Sequence, residues 1–164
     1  MINLKRILVP TDFSTTSEAA LSYGIALTRA FNAKLVLLNV PEHPGAAAEA
    51  EYPIGIYETM QNAANQRLGD LLSRQEITEL KPEYVMRIGH PAEEIVKFAE
   101  SHAIDLIVMG THGRTRIDRL LTGSVAESTL RSASCPVLLV KHPLVGVETS
   151  PKPQAQTAGR DGSP

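Results

Sequence analysis

Ile104-Asp105-Leu106-Ile107-Val108-Met109 runs straight into Gly110-Thr111-His112-Gly113-Arg114, and nine residues separate Gly113 from Gly123-Ser124-Val125. A short, nearly continuous apolar run that ends at glycine reads as a strand covered on both faces, and Gly123-Ser124 opens a helix. Four further runs share that character: Arg6-Ile7-Leu8-Val9, Lys34 to Val40, Glu83 to Ile88 and Pro136 to Val140. Each ends at Pro, Gly, Asn or a polar cluster, as strands do.

The intervals between the runs read as helices. The first opens on Ser14-Thr15-Thr16-Ser17-Glu18, with N-cap candidates and an acidic first turn, and closes at Asn32, a left-handed stop. A second is expected from about Glu58 to Leu80. A third begins at Pro91-Ala92-Glu93-Glu94, and a fourth runs from Gly123-Ser124 to about Arg131. Strand and helix alternate throughout, so the expected fold is α/β, a doubly wound parallel sheet with helices on both faces.

Two stretches fall outside the alternation. Residues 41–57 hold three prolines and two glycines, a connection long enough to be a functional or a mobile loop. From Pro143 onward the chain has little to bury, so we expect one folded domain over residues 1–142 and a disordered tail over 143–164.

Composition narrows the function. The chain has 164 residues, 16 Lys and Arg against 18 Asp and Glu, and a formal net charge of −2. It lacks the global positive field that holds nucleic acid or anionic lipid, so neither is an expected partner. One cysteine, Cys135, cannot form an internal disulfide. The N-terminal apolar run is too short for a signal peptide, and no window reaches the length of a membrane span. A cytoplasmic protein is expected.

In an open parallel sheet, ligands sit beyond the carboxyl ends of the strands. The loops to search are therefore Pro10-Thr11-Asp12-Phe13-Ser14 and the glycine loop. Residues 110–124 hold Arg114, Arg116, Arg119 and one acid, Asp118, a local net of +2 that leaves −4 on the rest. Gly110, Gly113 and Gly123 remove side chains where backbone would need to approach a ligand or take positive φ, and the helix start at Gly123-Ser124 favours an anion. The plainer alternative is that the glycines mark turns and the arginines are solvated. Asp12 is placed to accept from an exocyclic amine or a ribose hydroxyl, or to cap a helix, and the two roles are compatible through different oxygens.

Catalytic arrangements are weak. His43, His90, His102, His112 and His142 lack metal-ligand spacing, so no metal site and no catalytic residue are assigned. His90 reads as part of the turn before Pro91, Cys135 as a packed thiol and Asp105, within the fourth strand, as capping or pairing locally.

Three motifs in register resemble the universal stress proteins over about residues 3 to 142. They are Arg6-Ile7-Leu8-Val9-Pro10-Thr11-Asp12-Phe13-Ser14, the Gly110-x2-Gly113-x9-Gly123-Ser124 pattern of the family's ATP-binding branch, and Ser134-Cys135-Pro136-Val137-Leu138-Leu139-Val140. The resemblance implies a five-stranded sheet of order 3-2-1-4-5. It implies Asp12 and Val40 at the adenine end, with Pro10 and Thr11 on the same side. Met109, Gly110, His112, Gly113 and Arg114 would wrap ribose and phosphates, and Gly123, Ser124 and Val125 would cradle the phosphates of ATP (or ADP or AMP), with Mg2+ as a companion ion. It further implies a homodimer through Val137 to Val140 and a role as a stress-response sensor or regulator. Two alternatives stand beside it: a slow ATP hydrolase or nucleotidyl transferase with His112 as its one candidate group, and a nucleotide-free dimerising module.

Overall fold

The computed structural model describes residues 2–41, 55–111 and 123–141. Most of the expected loop over 41–57, the whole 143–164 tail, and His112, Gly113 and Arg114 lie outside them. The order is β1 (Arg6–Pro10), α1 (Thr15–Phe31), β2 (Lys34–Asn39), α2 (Ile56–Asp70), α3 (Arg74–Leu80), β3 (Glu83–Met86), α4 (Pro91–Ser101), β4 (Leu106–Gly110), α5 (Ser124–Ser132) and β5 (Val137–Val140). The strands form one parallel sheet of order β3-β2-β1-β4-β5, as the resemblance implies.

Alternation along the central strands divides the core in two. Ile7, Val9, Leu35, Leu37 and Val108 pack with α1, α2 and α3, whereas Leu8, Val36, Leu38, Ile107 and Met109 pack with α4 and α5. Ile7, Leu8 and Val9 are wholly buried, which is why β1 reads as apolar without alternation. Each such side chain stabilises the fold by about 1.5–3 kcal/mol relative to exposure.

The caps of α1 follow the sequence. Ser14 Oγ accepts from Ser17 N at 3.2 Å, and Asn32 ends the helix at φ 50°, ψ 43°. The expected 58–80 helix is instead two. Ser73 restarts the chain with a capping box: its Oγ accepts from Glu76 N at 3.2 Å, while the Glu76 carboxylate accepts from Ser73 N at 2.8 Å. The break lets Leu68 and Leu72 on one side of it, and Ile77 and Leu80 on the other, reach the same core.

Asp105 also departs from expectation. It precedes β4 rather than lying in it, and its Oδ2 accepts from Lys5 N at 2.7 Å and Arg6 N at 2.8 Å. Its partners are a hundred residues away because β1 and β4 are neighbours, so a local cap is excluded.

Candidate functional site

From β1 the chain crosses to β2 on one side, and from β4 to β5 on the other. The loops beyond β1 and β4 therefore diverge and leave a crevice at the carboxyl edge. A cleft of about 470 Å³ opens there, in the range of small-molecule sites. Pro10, Thr11, Asp12, Val40, Met109, Gly110, Gly123, Ser124 and Val125 all line it, nine of the twelve residues expected from sequence.

The turn after β1 is braced from within. Thr11 N donates to Leu38 O at 2.8 Å, and Asn39 Nδ2 donates to Thr11 O at 2.8 Å. Thr11 Oγ1 accepts from Phe13 N at 3.0 Å and lies 3.1 Å from Ser17 Oγ. These bonds hold Phe13 at φ 64°, a left-handed conformation that costs a bulky residue on the order of 1–3 kcal/mol. Asp12 Oδ1 accepts from Ser14 N at 3.0 Å, bracing the turn from two residues ahead of the helix cap. Asp12 is thus not the cap; Ser14 is. Its second oxygen, Oδ2, has no partner among the described residues and is available to the cleft.

The opposite wall is built by β4 and α5. Thr111 N donates to Val140 O at 2.9 Å, and Gly123 N donates to Thr111 O, so the two ends of segment 112–122 are tied together. Gly123 has φ −58° and Gly110 is not left-handed either, so neither glycine is there for its backbone conformation. A Cβ on Gly110 would lie 2.8 Å from Thr16 Cγ2 and 3.0 Å from the Thr16 backbone. That glycine makes room for α1, a packing constraint that the sequence reading did not include. With Gly123 N engaged and its carbonyl accepting from Glu127 N, the N–H groups of Ser124, Val125 and Ala126 are the ones left by helix geometry without acceptors. Ser124 itself is exposed.

Sequence reading missed several lining residues, among them Phe13, Asn39 and Arg67. Asn39 had a signal, a polar residue closing an apolar strand. Arg67 had none, because only the docking of α2 brings its guanidinium to 3.9 Å from the Phe13 ring centroid. His90 caps α4 with its backbone, in the turn before Pro91 as expected. Cys135 packs against the α4–α5 layer, and burial pushes its thiol pKa up. Among the described residues no three His, Cys, Asp or Glu are grouped to hold a metal, and no helix is long and apolar enough to cross a membrane.

Comparison with known proteins agrees with this architecture. Universal stress protein MJ0531 of Methanocaldococcus jannaschii is 38% identical over 142 residues, covering 85% of this chain and 83% of the relative. The solved structure of MJ0577 superimposes with a TM-score of 0.72 at 31% identity, over 86% of this chain and 98% of that one. A universal stress protein solved in complex with cAMP matches with a TM-score of 0.56 at 26% identity, over 85% of this chain and 98% of that one. The model of the universal stress protein family matches residues 3–141, both halves of the cleft included, and the chain accordingly belongs to that family.

Proposed function

We propose that the cleft binds an adenine nucleotide, ATP foremost, and that the protein is a homodimeric, cytoplasmic stress-response sensor or regulator rather than an efficient enzyme. One observation carries the binding reading: N–H donors left over at the start of α5 lie across one cleft from a carboxylate oxygen of Asp12 that has no partner among the described residues. Donors suit phosphates, and the lone carboxylate oxygen suits the exocyclic amine of a base or a ribose hydroxyl. The cAMP complex of a relative is consistent with a nucleotide of this class.

Magnitudes are adequate. A hydrogen bond to a charged group contributes about 1.5–3 kcal/mol, so three or four donors account for much of a micromolar affinity, about −8 kcal/mol, before entropic costs. His112, Gly113 and Arg114 complete the phosphate wrap in this reading, and Mg2+ accompanies the phosphates. Residues 1–142 form the binding domain, and 143–164 a tail outside it. Dimerisation through β5 is supported by its place at the sheet edge and by the exposure of Leu138 and, on the neighbouring α5, Leu130.

The test is direct. Protein purified without added nucleotide is denatured and any released ligand identified by mass and absorbance; calorimetry with ATP, with and without Mg2+, follows. Adenine nucleotide near one per chain, or ATP binding by the empty protein, is expected. An empty protein that binds neither form of ATP returns the chain to the nucleotide-free dimerising module.

A further inference from the structure

Among the described residues that line the cleft, Asp12 is the one acid and Arg67 the one base. Arg67 makes no ion pair and no hydrogen bond among the described residues. Its guanidinium instead rests over the Phe13 ring at 3.9 Å. Phe13 is held in place by the Thr11 Oγ1 bond to its N–H and by packing against the α1–α2 core.

We propose that Arg67 is a base-recognition residue: its guanidinium, laid on Phe13, is the platform on which the purine of the bound nucleotide stacks. The inference rests on the nucleotide-binding reading and assigns it a residue outside every motif in the sequence. The N–H donors of α5 set the direction of the ligand, since the charges of Asp12 and Arg67 offset one another at the other end. Phosphates go to the donors of α5 and away from the Asp12 carboxylate, so the uncharged base lies at the Asp12 end, where Arg67 is. A guanidinium is planar and weakly hydrated on its faces, and bases stack on it as they do on aromatic rings. Arg67 then supplies affinity for the base, and Asp12 Oδ2 reads its exocyclic amine.

The experiment titrates ATP into the wild-type protein, Arg67→Ala and Arg67→Lys by calorimetry at several salt concentrations. Both variants are expected to lose roughly tenfold in affinity, because lysine keeps the charge but not the plane. The dependence of affinity on salt is expected to match the wild type, since a stacked base carries no charge to screen. A variant as tight as the wild type, or a weaker salt dependence in Arg67→Ala, overturns the proposal while nucleotide binding stands; the second result makes Arg67 a phosphate partner. Failure of the wild-type protein to bind ATP overturns both. Arg67 is exposed, and unchanged thermal unfolding of either variant shows that the fold is intact.

Discussion

At the amino end of the sheet, Glu83 accepts from Lys34 Nζ at 2.7 Å and from Arg6 at 3.3 Å, and Asp105 takes two backbone N–H groups of the strand entering β1. At the carboxyl end, among the described residues, Asp12 keeps one oxygen unengaged, Phe13 sits at a strained φ of 64°, and Arg67 has an aromatic ring but no carboxylate for a partner. Both ends are made by the same five strands. One end uses its charges on the chain itself, whereas the other holds donors, an acceptor and a cation toward an open cleft. At the amino end the carboxylates are engaged by the chain itself, whereas at the carboxyl end an acceptor and a cation line a cleft and are left to it.

Substitutions can break or sharpen that contrast. The largest effect is expected from Gly110→Val, which forces side-chain atoms into the space of Thr16. A loss of about 1–3 kcal/mol, read as a thermal midpoint lower by several degrees, is expected. A variant as stable as the wild type would remove the packing role of Gly110.

Gly123→Val places a branched side chain in the cleft beside α5 and is expected to weaken ATP binding roughly tenfold, against threefold or less for Arg114→Ala. Equal losses in a titration would remove that ranking. At the opposite end, Asp105→Asn is expected to cost about 1–1.5 kcal/mol in denaturant unfolding, with ATP affinity unchanged. Impaired binding in that variant would show that the two ends are coupled.

The smallest effect concerns pH. Hydrogen bonding from Lys34, with the charges of Lys34 and Arg6, holds the Glu83 carboxyl below its ordinary value of 4.5. A lowered carboxyl contributes stability that is present above the ordinary pKa and is lost as pH falls through the folded one. Stability is therefore expected to drop below about pH 4.5, by less than about 1 kcal/mol given the exposure of the pair, and Glu83→Gln should remove that part of the profile. A steeper acid loss in the variant than in the wild type would contradict the assignment.

Much of the site was legible because its residues follow strands whose burial is written in short apolar runs. Pro10, Thr11 and Asp12 follow one such run, and Met109 and Gly110 close another. The role of Gly110 was not legible, since its constraint is Thr16 on a helix nearly a hundred positions earlier. Nor was the break between α2 and α3. The Ser73–Glu76 capping box is a local signal, but it competes with a helical pattern that continues through it. Asp105 and Arg67 each act on partners that strand order or helix docking supplies.

The sequence by itself determined the strands, the starts of α1, α4 and α5 and the stop of α1, the alternation that makes a parallel sheet, and the motifs that resemble the family. These depend on neighbours within a few residues, where side-chain periodicity and capping chemistry act. Only the tertiary structure decided which polar groups remain unengaged, which glycine serves packing, and that Arg67 lies over Phe13. Those facts depend on which distant segments the β3-β2-β1-β4-β5 order brings within a few ångströms, and no local pattern encodes that distance.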